Sequence, residues 1–457
     1  MGLDFDRIFS TVVKTSTVRL LLIIAAAYGY NLSQVDIKQA YLQAVITEDL
    51  YMRVPEGLPD RDDRGRPIVC KLKKSLYGLR QAGREWGICL STYLVGYGFE
   101  RSHIDTCLYK LKRGGSFVWL AVYVDDILCV DNDAALRNRV IQDLDSRFTL
   151  TDKGALHWML GVEITRDLDA GSISLSQTLY IKDLISKFAS FIQAGHTRSY
   201  SSPLEEGFRL TKADMPTVGS NEYCEMAPLR PVYMSLVGGL IWVSTMTRHE
   251  LAFSVSQLAR ALTNPGKKHF NAAIRVLIYL QSTIDEVLCY KPNRDMGFQV
   301  FVDSDWATSF SCSGAYFVFM GCVFHWFSKM QNSIALSSAE AEFFGAMLSV
   351  KETIFFRELL LVLGLLVKGA TVIHTDSQSA VALSTDHVLF KQTKHIQRAA
   401  EFLRDCVARE VVRLEHLAGR RMIADILTKA LSRAAFELIL KRIRELPACG
   451  VAVADSL

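Results

Sequence analysis

Residues 121–130 read Ala-Val-Tyr-Val-Asp-Asp-Ile-Leu-Cys-Val, two adjacent aspartates inside a strongly apolar, β-prone run. An ionised carboxylate is expensive to bury unless a partner neutralises it, so few folds accommodate such a run. Val122, Tyr123 and Val124 before the pair, and Ile127, Leu128 and Val130 after it, favour extended structure on both sides. The predicted form is a short hairpin holding Asp125 and Asp126 near its tip, against a protein interior. Two readings of the tip stand side by side. A Mg²⁺ ion, bound through one or two carboxylates with substrate phosphates completing its shell, would neutralise the pair. Alternatively the turn simply uses Asp-Asp, because Asp is common in turns.

The chain of 457 residues has room for about three domains of ~150 residues. With 50% hydrophobic and 22% charged residues it reads as globular throughout. A formal net charge of +4 is compatible with a nucleic-acid partner without arguing for one. The 10 cysteines are scattered singly, with no Cys-x-x-Cys pair, which argues against a zinc site or a disulfide-stapled secreted domain. Lys14 and Arg19 before the apolar run Leu20–Ala27 imitate a signal peptide. That run is too short to span a bilayer, and Asp4, Asp6 and Arg7 make the leader mixed in charge, so a buried helix is expected.

Along the chain, residues 16–29 read as helix, Gln34–Ile37 as strand, and Gln81–Tyr97 as a helix stopped by Gly98. Strands are predicted over Leu156–Val162 and Ser172–Gln177, around a turn at residues 167–171. A polar, proline-containing stretch from Ala194 to Pro231 marks a first boundary, and Lys291–Arg294 a second. Between them Leu236–Leu262 and Lys267–Thr283 read as two helices. Beyond them come predicted strands at Phe298–Val302, Ala315–Val323 and Thr371–His374, and helices at Ser338–Leu363 and Thr393–Ala408.

A second acidic set lies in the last third. Asp303 follows the predicted strand Phe298–Val302, Glu342 falls in the first turns of a long helix, Asp376 ends an apolar strand, and Asp425 lies in the apolar stretch Ile423–Leu427. Carboxylates at neighbouring strand ends and a helix start can converge, and four of them could hold two Mg²⁺ ions ~4 Å apart for attack on a phosphodiester. Taken singly, each reads first as an ordinary turn aspartate or N-terminal helix glutamate, and it is their recurrence that argues for a site.

These residues resemble a known family. Tyr123-Val124-Asp125-Asp126 is similar to the catalytic box of reverse transcriptases, and the surrounding text resembles the polyprotein of copia-type long-terminal-repeat retrotransposons. The similarity is carried by Val35–Leu42, Tyr51–Gly57, Cys70–Ala82, Leu160–Ile164 and Leu175–Gln177. In the tail, Ala335–Glu342, Lys394-His395-Ile396 and Ala424–Lys429 resemble the family's ribonuclease H domain. The implied fold is an α+β reverse transcriptase palm and partial thumb over 1–193, a connection region over 194–295, an α/β ribonuclease H-like domain over 296–440, and a tail over 441–457.

By this resemblance Asp36 and Asp125, with Asp126 beside them, are the polymerase metal ligands. Tyr41 falls where the family has a steric gate against the ribose 2′-hydroxyl, and Gln81 where it contacts incoming nucleotide and template. Asp303, Glu342, Asp376 and Asp425 match the nuclease carboxylates, with Asp305 and Glu340 as near alternatives. The implied cofactor is Mg²⁺ (or Mn²⁺), two ions per active site. The implied partners are an RNA or DNA template with primer, dNTPs and RNA–DNA hybrid, with no membrane. Lys73, Lys74 and Arg80, with Lys71 and Arg84, supply a local basic set that could hold phosphates or simply form a solvated face. The implied location is the cytoplasm, in a virus-like particle, or the nucleus.

The chain departs from the family at several points. Gly2–Asp6 stands just inside the usual domain, so upstream fingers strands are expected to be absent, as are capsid, protease and integrase parts. Gly83 replaces a usual proline, Thr245–Glu250 replaces an Arg-Pro-Asp turn, and the stretch from Asp305 to Gly314 is shorter. His416 is a weak match to the late histidine of many ribonucleases H. The resemblance therefore implies an RNA-directed DNA polymerase with ribonuclease H activity. The rival is a decayed or co-opted fragment that only binds nucleic acid.

Overall fold

The computed structural model describes residues 12–192, 199–307, 310–385 and 397–449. Gly2–Asp6, the boundary residue Ala194 and the motif Lys394-His395-Ile396 lie outside them. The described residues divide into two units, one holding residues up to Leu21 and Tyr28–His157, the other Leu22–Ala27 and the chain from Trp158 onward. The helix Thr15–Tyr28 has Leu20–Ala25 fully buried, as an apolar run too short for a bilayer should be.

In the first unit the strands are β1 (Asn31–Ile37), β2 (Tyr51–Arg53), β3 (Val69–Lys71), β4 (Glu100–Arg101), β5 (Leu108–Arg113), β6 (Ser116–Tyr123), β7 (Asp126–Asp131) and β8 (Leu150–Ala155). Six of them form one antiparallel sheet in the order β4-β5-β6-β7-β1-β8, and β2 pairs only with β3. The β6–β7 hairpin is the one predicted from the apolar run: Leu120, Ala121, Ile127, Leu128, Cys129 and Val130 are completely buried, which secures its register. Placing β1 beside β7 sets Asp36 directly opposite Asp126. The helix Ala82–Tyr97 buries Trp86, Leu90 and Leu94, four residues apart on one face, and ends at Gly98 with φ 112°. Helix Ala134–Arg147 begins at Asp133, whose carboxylate accepts from the backbone N–H groups of Ala135 and Leu136.

The second unit holds β9 (Trp158–Met159), β10 (Val162–Asp167), β11 (Ser172–Ser176), β12 (Leu288–Tyr290), β13 (Phe298–Asp305), β14 (Cys312–Phe319), β15 (Cys322–Met330), β16 (Thr371–Thr375) and β17 (Val412–His416). A four-stranded antiparallel sheet runs β12-β11-β10-β9, and a five-stranded mixed sheet runs β15-β14-β13-β16-β17. In the mixed sheet β13, β14 and β15 are antiparallel neighbours, while β13–β16 and β16–β17 are parallel. The parallel step from β16 to β17 needs a long crossover, and helices Gln378–Thr385 and Gln397–Ala408 lie in it. Helix Ser338–Val362 packs on β13 and β14 with Ala341, Phe343, Ala346 and Val350 buried.

Three sequence expectations need correction. The predicted strand Leu156–Val162 is interrupted by a turn at Leu160 (φ 53°) and Gly161 (φ 70°), and the partner of β11 is β10 instead. The predicted strand Ala315–Val323 is a hairpin turning at Met320 and Gly321, so β15 was missed because both arms are apolar on both faces. The helix predicted over Leu236–Leu262 is two, Arg230–Met246 and Ala252–Ala259. The break holds Arg248, whose Nε donates to Glu250 Oε1 at 2.6 Å with both side chains buried, an ion pair that periodicity cannot reveal.

Candidate active sites: two acidic clusters

In the first unit, Asp125 sits in the two-residue turn between β6 and β7. Val124 adopts φ 58°, a left-handed conformation costly for a β-branched residue. Two hydrogen bonds hold it: Trp86 Nε1 donates to the Val124 carbonyl at 2.8 Å, and the Ile37 N–H donates to the Asp125 carbonyl at 2.9 Å. Strain supported from outside the turn is a feature of sites whose geometry serves chemistry.

Asp36 and Asp126 face each other across β1 and β7, and a lysine bridges them. Lys153 Nζ lies 2.8 Å from Asp36 Oδ2 and 3.2 Å from Asp126 Oδ1. Gln34 Nε2 donates to the same Asp126 oxygen at 2.9 Å. Burial works against the Lys153 charge, yet the two carboxylates outweigh it and its pKa lies above the ordinary value. An ammonium in this place is a stand-in cation, and a pair of carboxylates is a donor set suited to a hard divalent ion.

Tyr41 is half-buried and packs against Tyr77 with ring centroids 4.7 Å apart. Burial, then the Asp125 charge, pushes up the hydroxyl pKa of both. A cavity of about 230 Å³ is lined by Tyr41, Arg84, Trp86, Arg101 and Val124, and so opens at the Asp125 turn. Gln81 is buried beside the start of helix Ala82–Tyr97. Lys73, Lys74 and Arg80 are exposed, while Lys71 pairs with Asp49 and Arg84 Nη1 lies 2.5 Å from Glu85 Oε1.

In the second unit, two glycines draw the acidic groups together. Asp303 on β13 is opposite Gly314 on β14. A Cβ at Gly314 would lie 2.5 Å from Leu427 Cβ, so only glycine admits the Leu427–Thr428 segment over that strand. A Cβ at Gly345 would collide with Ser304 Oγ, so the helix there lies close against β13. Glu342, one turn earlier, can then accept from the Ser304 N–H at 3.1 Å. Asp376 directly follows β16, the parallel neighbour of β13.

Asp303, Glu342 and Asp376 each offer an oxygen within 4.8 Å of the others. Among the described residues they are the one group of three such ligands this close. Glu342 is 9% exposed and its Oε2 has no partner. A buried carboxylate oxygen without a hydrogen-bond partner, on a residue grouped with two more carboxylates, is one that a divalent cation would satisfy. Burial, then the charges of Asp303 and Asp376, pushes the Glu342 carboxyl up to about 9. Asp376 is raised by burial and by Asp303.

Asp425 stands slightly apart from that group. It lies in the short 3-10 helix Ile423–Leu427, with Lys429 Nζ 3.1 Å from its Oδ1 and 3.6 Å from Asp303 Oδ2. Burial, then Asp303, pushes its carboxyl up to about 7. The Thr428 hydroxyl donates to Asp303 Oδ2. The two alternatives have other engagements: Asp305 pairs with Arg209 at 2.6 Å, and Glu340 Oε2 accepts from the Leu336 N–H at 2.9 Å at the head of its helix. His416, at the end of β17, is paired in register with Thr375, next to Asp376.

Sequence reasoning did not single out Lys153, Lys429, Thr428, Trp86 or Tyr77. Lys429 and Thr428 stand beside Asp425 in one short motif, which was a usable signal. Lys153 had none, because its partners are 117 and 27 residues away.

Residues 1–197 match the family model described as reverse transcriptase (RNA-dependent DNA polymerase). The chain is 35% identical over 442 residues to the retrovirus-related Pol polyprotein from transposon TNT 1-94 of Nicotiana tabacum, covering 96% of this chain and 32% of that polyprotein. It is 34% identical over 442 residues to the Pol polyprotein from transposon RE1 of Arabidopsis thaliana, covering 95% of this chain and 29% of the other. The chain thus spans about a third of the length of the curated relatives it matches. Among solved structures, the foamy viral protease-reverse transcriptase in complex with RNA/DNA hybrid aligns over 90% of this chain and 46% of its own, at 10% identity and a TM-score of 0.46.

Proposed function

The chain belongs to the reverse transcriptase family of copia-type retrotransposon Pol polyproteins, and from that premise we propose that it is an RNA-directed DNA polymerase and RNA–DNA hybrid nuclease. The observation that carries the proposal is that each unit gathers its own acidic centre, Asp36 with Asp126 in one and Asp303, Glu342 and Asp376 in the other. In this reading 1–193 is palm and partial thumb, 194–295 connection, 296–440 the ribonuclease H-like domain and 441–457 a tail. The order β15-β14-β13-β16-β17, with an antiparallel half and a parallel half, supports the ribonuclease H-like assignment.

At the polymerase centre Asp36, Asp125 and Asp126 would hold Mg²⁺ or Mn²⁺, and at the nuclease centre Asp303, Glu342 and Asp376 would do so, with Asp425 beside them. The bound cation supplies Lewis-acid charge neutralisation at a phosphate and a more acidic hydroxyl or water. The chain's own groups position the substrates. Tyr41, packed on Tyr77, restricts the space beside Asp125 where a ribose 2′-hydroxyl would lie. The exposed Lys73, Lys74 and Arg80 are placed to hold template and nucleotide phosphates, whereas Gln81, buried beside the start of its helix, would meet incoming nucleotide and template only once uncovered. The substrates are a primed RNA or DNA template with dNTPs, and an RNA–DNA hybrid, whose RNA strand is told apart by its 2′-hydroxyls.

Primer extension on an RNA template, run beside cleavage of a labelled hybrid, tests the proposal. Asp125→Asn should abolish extension and leave cleavage, and Asp376→Asn should do the reverse. If neither substitution changes either activity, the site assignments fail. A folded wild-type chain that is silent in both assays but retains hybrid in a gel shift would instead support a nucleic-acid-binding role.

A further inference from the structure

Asp305 stands beside the nuclease centre, yet it is outside the group formed by Asp303, Glu342 and Asp376. It is the last residue of β13, two positions beyond Asp303, so the two side chains leave the same face of the sheet. Its Oδ2 accepts from Arg209 Nη2 at 2.6 Å. Arg209 comes from the connection region, 96 residues earlier in the chain. We propose that Arg209, held by Asp305, binds a backbone phosphate of the RNA–DNA hybrid at the rim of the nuclease centre, and that Asp305 is its positioning residue and not a metal ligand. The proposal rests on the nuclease reading above and adds to it a substrate contact from outside residues 296–440.

The backbone that carries Arg209 is fixed independently of its side chain. Leu204 and Leu210, which flank it in sequence, are almost completely buried. Between them the Gly207 N–H donates to the Ala430 carbonyl at 2.9 Å, which ties this segment to the stretch that bears Asp425. Gly207 adopts φ 68°, a left-handed turn that favours glycine. From helix Lys267–Ser282, the Lys268 ammonium donates to the Arg209 carbonyl at 3.1 Å and pairs with Asp214 at 2.8 Å. Packing and backbone contacts thus set the place of residue 209, and Asp305 only aims its side chain.

The chemistry suits a phosphate. The Arg209 side chain is 55% exposed, so Asp305 engages one nitrogen and leaves much of the planar fork open to solvent. An ion pair this exposed contributes little to stability, so holding the strap is a weak reason for it. A guanidinium fork matches the oxygens of a phosphodiester, and it can accept a carboxylate on one edge and a phosphate on another. An acidic centre repels the polyanionic backbone of its own substrate. A fixed cation beside Asp303 offsets that repulsion and sets the register of the hybrid on the centre.

Steady-state cleavage of a short labelled hybrid by the full chain, over a salt series, tests the assignment. Arg209→Gln should raise KM about tenfold, keep kcat within about twofold, and lower the slope of log KM against log salt by about 1, as one lost phosphate contact does. Arg209→Lys keeps the charge, so it should restore the salt slope and part of the affinity. Asp305→Asn should also raise KM with kcat kept, and the double substitution should be no worse than Arg209→Gln alone. An unchanged KM or salt slope in a folded Arg209→Gln chain would overturn the proposal. Loss of kcat in Asp305→Asn would overturn it too, by making Asp305 a metal ligand. Both results leave the nuclease reading standing, because the parent chain still cleaves. A parent that does not cleave sinks that reading, and the salt slope of hybrid binding by fluorescence anisotropy, parent against Arg209→Gln, then decides the phosphate contact by itself. If Arg209→Gln does not fold, Asp305→Asn decides, with an unchanged KM counting against the proposal.

Discussion

The indole Nε1 of Trp86 donates to the Val124 carbonyl at 2.8 Å, tying a buried helix residue to the one strained residue of the aspartate turn. Removing the donor leaves that carbonyl unsatisfied, at a cost of about 1–3 kcal/mol. Trp86→Phe keeps the aromatic ring packed edge-on against Phe148 and deletes only the N–H. Urea unfolding should show the first unit weakened by about 1–3 kcal/mol. Primer extension should fall and hybrid cleavage should not, because Asp125 alone depends on this turn.

Gly314→Ala tests the docking of the Asp425 segment. Its Cβ would lie 2.5 Å from Leu427 Cβ and 3.0 Å from Thr428 Cγ2, so the 3-10 helix bearing Asp425 must shift. Overpacking of this kind costs roughly 1–3 kcal/mol. Hybrid cleavage should drop by at least about tenfold, the rate equivalent of ~1.4 kcal/mol, while extension stays intact. Gly297→Ala, where nothing lies within 4 Å, is the matched control and should change neither activity nor thermal midpoint measurably.

The pH dependence of the metal-free chain follows from two raised carboxyls. Glu342 moves from 4.5 to about 9 and Asp425 from 3.8 to about 7 on folding. Between those limits the folded state binds more protons than the unfolded state, so stability must fall as pH rises. Both groups contribute up to about pH 7, and Glu342 alone from there to about 9. Each contributes at most about 1.4 kcal/mol per pH unit. A divalent ion takes the deprotonated carboxylates, so the rise in melting temperature on adding Mg²⁺ should grow from pH 6 to pH 9. Thermal melts in chelator and in Mg²⁺ across that range check the sign. A Mg²⁺ effect that shrinks with pH would refute it.

How far the sequence foretells these centres depends on the distance over which each constraint acts. The β6–β7 hairpin was legible because its apolar flanks and its two aspartates lie within one short run. Asp303, Glu342 and Asp376 were legible as types at strand ends and a helix start, but what unites them is Gly314 and Gly345, whose close contacts are long-range. The break near Thr247 was illegible because an apolar helical period runs straight across it, and the buried Arg248–Glu250 pair that stabilises it is a tertiary event. Lys153 was illegible for a similar reason. A lysine between Asp152 and Gly154 reads as solvent-facing, and only the β1–β8 pairing brings it to Asp36.

Lys153 bears on how readily the polymerase centre takes a divalent ion. Its ammonium spans Asp36 and Asp126 at 2.8 and 3.2 Å, yet its side chain is 42% exposed and Gly154 beside it adopts φ 72°. Lys429 follows Thr428, whose hydroxyl donates to Asp303, whereas Lys153 sits in a turn where the Gly154 N–H donates to Asp152, so a divalent ion can displace it by a swing of the side chain. Exposed ion pairs are worth roughly 0.2–1 kcal/mol each. Lys153→Met should accordingly tighten Mn²⁺ binding at this centre by about 1.4- to 30-fold, the range from one weak pair to two strong ones. Titration calorimetry in an Asp376→Asn chain isolates the polymerase centre. Tighter binding with reduced extension would show that Lys153 both competes with the ion and serves the substrate. Weaker binding would mean that the ammonium holds the two carboxylates in place for the ion rather than opposing it.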